Sequence, residues 1–542
     1  MKAKFKFGIT LLTVGCSALC GCSLFNKKNN EQKEPENVGK VKFWSSFGGA
    51  YTTVLNGVVD GIKAELGFEI EHESQSSYDG IKTNMISAIA VGDYPNIAMG
   101  YPDHFATYLS SGILTPLDDY LTEADLADYY SEYMNENYFY DDGGQNAVKR
   151  IYALPFNKST ELLGYNGTFV DYCATKDASL ANIPATWDEW EVKGPLYNNY
   201  FTELTMQLIK DGEGNVVDSV PGKKVYGVQD EKGRASQFEV LTKDDPAPEG
   251  KTLLLDFEKV DPRTSVLMSW DATDNAFITL TRQWGAEYTN LPDSQKTRPA
   301  KKRVGEVLFN SSVNQPKVIS MLQYFNKLKQ SRIFGTPQEL GDSYSSDAFA
   351  QCRVMFMVCS SGGLSYNTAK WTNRFSVAPI PYKDANNKQV ISQGANICMT
   401  NKGDYDLSVK VIKALTTGKF QTQWCLETGY YPCSKSAVNS QEYQNFLAEE
   451  KYYPEVAATR VAYREGSKLN TEHYMSETEG WHKFVDPAFK GSSDLRDVVE
   501  TVLDSALKLD TYTDSAPYKE LLDALEDAPT IKGQSTIYFV HD

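Results

Sequence analysis

Between Val41 and Gly100 the apolar positions change period again and again. Val41-Lys42-Phe43-Trp44 is a β-like run that closes in Ser45-Ser46-Phe47-Gly48-Gly49. Val54, Leu55, Val58, Val59, Ile62 and Leu66 then recur at helical spacing until Gly67 stops them. Phe68-Glu69-Ile70-Glu71-His72 alternates as a strand, residues 80–91 return to a helix, and Asn96-Ile97-Ala98-Met99-Gly100 reads as a third strand. Strand, helix, strand, helix, strand predicts a parallel sheet covered by helices. Ligands of such sheets sit at the carboxyl ends of the strands. That rule makes candidates of Trp44, Ser45 and Ser46 after the first strand, Ser76, Ser77 and Tyr78 after the second, and Tyr101 and Asp103 after the third.

Further along, residues 152–160 and 162–166 read as two strands with a polar turn, where the chain crosses between lobes. Thr186 and Glu189 have the spacing of an N-cap and its capping-box partner. Residues 210–260 are rich in Gly, Pro, Asp and Lys and predict peripheral hairpins and loops. A helix opens at Trp270-Asp271-Ala272-Thr273-Asp274-Asn275 and runs to about Trp284, and residues 311–330 form another. A strand at Val354–Val358 leads into Ser360-Ser361-Gly362-Gly363. Ser392-Gln393-Gly394-Ala395-Asn396 follows another strand-like stretch, and Thr428-Gly429-Tyr430-Tyr431-Pro432 breaks two helices. Residues after about Pro529 read as a poorly specified tail.

Composition changes the picture at the N-terminus first. Lys2, Lys4 and Lys6 precede an apolar stretch from Phe7 to Leu19, too short for an ordinary membrane span and patterned as a signal peptide. It ends in Leu19-Cys20-Gly21-Cys22, which resembles a bacterial lipobox and implies cleavage before Cys22, with the lipid carried on Cys22. Residues 23–40 hold almost nothing apolar and read as a flexible tether. The expected layout is signal peptide 1–21, lipid anchor and tether 22–40, and a folded body at the extracellular face of a bacterial membrane. At 542 residues the chain exceeds the about 250–300 residues that one core usually serves, so more than one lobe is expected. A formal charge of −17 argues against nucleic acid as a partner.

Sites of catalysis are not evident. The five histidines form no ligand pair at helical spacing, so no metal or cofactor is called for. Nucleophile-elbow, phosphate-loop and dinucleotide motifs are absent from the sequence. Asp118-Asp119 reads as solvated surface rather than a hydrolase pair. Cys173, Cys352, Cys359, Cys398, Cys425 and Cys433 remain after the signal and anchor, and read mainly as buried thiols; Cys352 with Cys359 and Cys425 with Cys433 are the pairs nearest in sequence.

An ordered set of short stretches resembles the family 1 extracellular solute-binding proteins of ABC transporters, which include maltose-binding and glycerol-3-phosphate-binding proteins. The set runs from Phe43-Trp44-Ser45 and Ser77-Tyr78-Asp79 through residues 88–97, 111–117 and Leu154-Pro155-Phe156-Asn157. It continues with Pro184-Ala185-Thr186-Trp187, Ser360-Ser361-Gly362, Gln393-Gly394-Ala395 and Thr428-Gly429-Tyr430-Tyr431-Pro432. The resemblance implies an α/β, two-lobed periplasmic-binding-protein type II-like fold with discontinuous lobes joined by a hinge. One lobe would take residues 41–152 plus 395–440, the other 153–394 plus 441–542. It also implies a monomer that does no chemistry, closes on a small-molecule sugar or oligosaccharide, and hands it to the permease subunits of an importer.

Carried over by position, Tyr78, Ser159 or Thr160, Ser361, Gly394 and Tyr430 become pocket candidates. A sugar site needs aromatic faces and hydroxyl or amide partners. Trp44, Trp270 and Trp284 join as faces, and Ser45, Ser46, Asp103, Asn275 and Asn396 as polar partners. The glycerol-3-phosphate binders' late arginine falls in or near residues 474–484, where no Arg stands, which favours a neutral carbohydrate over a phosphate. Arg460 and Arg464 are possible substitutes, with a solvated helix face as the plainer reading. Glycerol-3-phosphate or a related phosphodiester, a secreted glycoside hydrolase and an adhesin lipoprotein stay open as alternatives.

Overall fold

The computed structural model describes residues 39–368, 374–453 and 455–542. The signal segment, Cys22 and all but the end of the tether lie outside the described residues. Two sheets organise the body. In the first, Lys40–Ser45 lies between Glu69–Ser74 and Ile97–Gly100, all parallel. Asn396–Met399, nearly three hundred residues later, runs antiparallel beside Ile97–Gly100, with Asn396 opposite Gly100. Ala153–Pro155 closes the edge against it. The first sheet thus takes in a strand beyond the boundary expected at 152, because Leu154 and Ala153 face Ile397 and Cys398 across the ladder.

The second sheet is built around Ser159–Asn166, which pairs antiparallel with Phe356–Ser360, Phe375–Ala378 and Gln389–Gln393. Met268–Trp270 and Phe334–Gly335 extend one side, and His482–Phe484 the other. The chain therefore crosses from sheet to sheet at 156–158 and returns at 394–395. The two crossings lie side by side: the amides of Phe156 and Asn157 donate to the Ala395 carbonyl at 3.3 and 3.2 Å. This pair of antiparallel links is the hinge.

Local chemistry explains most elements. The helix Gly49–Leu66 buries Leu55, Val58, Val59 and Ile62 and ends on Gly67 in the left-handed region. Ser77 caps Tyr78–Val91 through the Gly80 amide. Thr186 and Glu189 form the expected reciprocal capping box on Trp187–Leu204. Residues 207–256 form a hairpin, Gln207–Lys210 with Val216–Val220, and a small antiparallel sheet of Lys224–Gln229, Ala235–Leu241 and Thr252–Asp256.

Two expectations need correction. The segment after Pro529 is not a loose tail: Ile537–Phe539 pairs in parallel with Gly305–Val307, and Ile531 and Phe539 are buried. Arg464 is not on a solvated face but fully buried, donating to the Lys451 carbonyl at 2.8 Å with Glu465 at 3.2 Å. The six cysteines are free, buried thiols. Among the described residues no helix is long and apolar enough to cross a membrane.

Candidate functional site

The carboxyl ends of the strands meet in a cleft between the lobes. One chamber, about 260 Å³, is walled by Tyr78, Asp79 and Lys82 from one helix and by Tyr101, Pro102, Asp103 and His104 from the start of the next. The opposite wall is Asp274 and Asn275, Tyr288 and Thr289, Ser392, Gln393 and Gly394, the turn 485–487, and Ser492, Ser493, Arg496, Asp497 and Glu500. A second chamber of about 580 Å³ shares Pro102, Glu136, Val485, Asp486 and Pro487 with the first, so the two form one trough.

Tyr78 and Tyr101 form an aromatic floor, ring centroids 4.6 Å apart and tilted by 43°, with His104 edge-on to Tyr101 at 5.7 Å. Asn157 of the hinge donates to the Tyr78 hydroxyl at 3.1 Å. Across the cleft Arg496 donates to Asp274 at 2.6 Å and to the Asn275 side-chain carbonyl, and its other terminal nitrogen is 3.8 Å from Asp486. Burial opposes the charge on Arg496, but Asp274, Asp486 and Asp103 together hold its pKa above the usual arginine value. Lys82 reaches over to Asp494 at 3.2 Å and Asp497 at 3.7 Å, joining the lobes at the rim. Burial likewise opposes the charge on Lys82, and those two carboxylates overcome it. Burial lowers the His104 imidazole, which is therefore neutral at pH 7.

Several wall groups are more than nine-tenths buried yet lack a hydrogen-bond partner: the Tyr288, Thr289 and Ser392 hydroxyls and His104 Nδ1. The Gln393 side-chain oxygen Oε1 is unpaired as well. Buried polar atoms are nearly always satisfied in native proteins. The first chamber combines two tyrosine faces with hydroxyl and amide residues, Thr289, Ser392, Gln393 and Asn275, in its lining. Among the described residues no group of three or more His, Cys, Asp or Glu is placed to hold a metal ion.

Of the residues expected at the site, Tyr78, Asp103, Asn275 and Gly394 line the first chamber. Trp44, Ser45, Ser46, Ser159, Trp270, Trp284, Ser361 and Tyr430 line neither chamber. Ser45 is buried against His72 Nε2 at 2.7 Å, and Trp44 and Ser46 pack beside it in the first lobe. Ser159 and Ser361 are buried where the hinge enters the second sheet, Ser361 accepting from the Thr160 amide. Trp270 is a core residue, stacked on Trp187 and donating to Glu161 at 2.9 Å. Trp284 packs on Tyr324 and Phe325 under Lys383. Tyr430 stacks on Trp424 and covers Gly362. Asn396 donates nothing to the cleft; its oxygen accepts from Asn137 in the core. Arg460 and Arg464 pair around Glu449, away from both chambers, and Asp118 and Asp119 are tied to Arg150.

Arg496, Asp486, Tyr288 and Ser392 were not foreseen. Ser392 and Gln393 adjoin Gly394 and Asp274 adjoins Asn275, so neighbours of named residues carried a signal. Arg496 sits inside the helix Ser492–Leu507, where its spacing looks like an ordinary polar face.

The sequence model of the bacterial extracellular solute-binding proteins matches residues 58–448, most of the chain. An uncharacterized lipoprotein of Mycoplasma pneumoniae is 26% identical over 264 residues, 45% of this chain and 32% of that protein, so the match spans about a third of that relative. The fold superposes on the GacH receptor of Streptomyces glaucescens, solved with acarbose, at a TM-score of 0.59 and 13% identity over 90% of this chain and 99% of that one. UgpB of Mycobacterium tuberculosis, solved with glycerophosphocholine, gives 0.60 and 16% over 91% and 98%. A maltose/maltodextrin-binding MalE domain of Bdellovibrio bacteriovorus, solved with maltotriose, gives 0.56 and 14% over 90% and 99%.

Proposed function

We propose, for a chain that belongs to the family of bacterial extracellular solute-binding proteins, that its cleft captures a carbohydrate for delivery to an ABC importer. The observation that carries this reading is the Tyr78–Tyr101 pair in a chamber otherwise walled by Asp103, Asn275, Thr289, Ser392 and Gln393. Sugar hydroxyls would pair with the polar wall while an apolar ring face rests on the tyrosines. Two of the superposed proteins were solved with oligosaccharides, acarbose and maltotriose. The first chamber suits a phosphate poorly, because Asp274 and Asn275 already occupy the Arg496 guanidinium.

In this reading the lobes close about the 156–158 and 394–395 links, and closure shifts the population toward the form that the permease subunits accept. Lipidation of Cys22 would hold the body at the outer face of the membrane, and the lipoprotein relative supports that placement. A thermal-shift screen of residues 23–542 against mono- and oligosaccharides tests the assignment. A dose-dependent rise in melting temperature with at least one saccharide is expected. No shift across a broad panel contradicts it.

A further inference from the structure

The second chamber is electrostatically opposite to the first, and this extends the carbohydrate reading on which it rests. Lys149, Arg282, Lys296, Arg303, Lys483 and Lys490 line it, against the carboxylates of Glu132, Glu136 and Asp486. Glu136 is committed to Lys158, and two of the cations are themselves paired, Arg282 with Asp486 at 2.6 Å and Lys296 with Asp293. Arg303 spends its donors on the backbone carbonyls of Arg298, Tyr140 and Asp141. Lys483 is held by neutral acceptors, Asn470 at 2.7 Å and the Tyr133 hydroxyl at 3.2 Å. Among the described residues no carboxylate lies within ion-pair distance of Lys483. The same holds for Lys149 and Lys490, so among the described residues three ammonium groups of this chamber are left without an anionic partner, in a chain of net charge −17.

We infer that the second chamber is a subsite for an anionic substituent, a carboxylate or a phosphate, on an extended saccharide whose hydroxylated end occupies the first chamber. The shared wall at Pro102, Glu136 and residues 485–487 lets one ligand span both. Lys483 lines the chamber with its ammonium held by Asn470, the Tyr133 hydroxyl and the Met475 sulfur, and would turn to the anion, while Lys149 and Lys490 are exposed lining residues. Burial, reinforced by Lys158, pushes Lys483 down to about 7 against the pull of Glu132 and Glu136. An anion bound beside it raises that value again, so binding near pH 8 takes up a proton.

Calorimetric titration of residues 23–542 tests this with matched probes. Tetragalacturonate is set against its methyl ester for the carboxylate arm, and trehalose 6-phosphate against trehalose for the phosphate arm. The subsite predicts that an anionic probe binds about tenfold or more tighter than its neutral partner, with the preference reduced by salt. It also predicts proton uptake, read from buffers of different ionisation enthalpy at pH 8. Lys483→Met should erase the preference and the proton uptake, and the exposed pair Lys149→Gln/Lys490→Gln should weaken the preference in a variant whose core is untouched. Neutral probes or neutral oligosaccharides binding as tightly as anionic ones would overturn the subsite and leave the carbohydrate reading standing. Binding of no saccharide, charged or neutral, would overturn both.

Discussion

Lys158 Nζ donates to the carbonyl of Gly394 at 2.8 Å, so a side chain on one lobe crossing holds the backbone of the other. The same ammonium pairs with Glu136, whose carboxylate forms part of the wall common to both chambers. The Lys158 carbonyl accepts from the Tyr431 amide at 2.7 Å, tying in a third segment. Both members of the ion pair are buried. Its geometry therefore links the ligand wall to the hinge.

Lys158→Met should leave Glu136 buried without its partner and cost about 3–5 kcal/mol. Urea denaturation checks this as a fall in the transition midpoint. Adding Glu136→Gln should recover much of the loss, since the stranded charge is then gone.

Gly394 has φ +94°, and a Cβ there would come within 1.8 Å of the Asn157 carbonyl oxygen. Gly394→Ala should cost more than the about 1–2 kcal/mol of left-handed strain alone, because the crossing strand must also move. Gly57, inside the helix Gly49–Leu66 with open space around it, is the contrast. Gly57→Ala should stabilise by about 0.5–1 kcal/mol. Paired urea curves separate the two.

Glu161 is buried in the second sheet, one oxygen accepting from Trp270 and the other unpartnered. Burial raises its pKa from 4.5 to about 8. A folded-state value above the unfolded one means that the protonated form stabilises the fold. That contribution is complete below about 4.5 and is lost as pH rises through about 8. Glu161→Gln should flatten this part of the pH profile and melt higher than the parent at pH 8.5, with little difference at pH 4.5.

The six thiols of the body are buried, and burial raises Cys352, Cys398 and Cys433 to about 12. A thiol reagent at pH 8 should label none of them in the native body and all six in guanidinium. Rapid native labelling would contradict the packing described.

Local patterns announced much of the framework. The period changes from Val41 to Gly100 marked the first sheet's parallel strands, and Thr186 with Glu189 marked a helix start. The cleft was readable where it uses strand ends, at Tyr78, Asp103 and Gly394. It was unreadable where a helix face or a turn enters from far along the chain, as with Arg496, Asp486 and Tyr288. The tryptophans misled for a physical reason: Trp270 and Trp284 are large enough to serve either stacking or packing, and only the tertiary neighbours Trp187 and Phe325 decide. Ile537–Phe539 escaped notice because its specification comes from Gly305–Val307, more than two hundred residues earlier.

In the proposed carbohydrate reading a saccharide would lie between the lobes, over Tyr78 and against the Asn275 side chain that Arg496 orients. Calorimetric titration of the best saccharide from the thermal screen into the parent body and into Tyr78→Ala decides this. One site per chain is predicted, with affinity lowered about tenfold or more by the loss of the aromatic face. Equal affinity in both proteins would place the ligand away from Tyr78 and rule out this site.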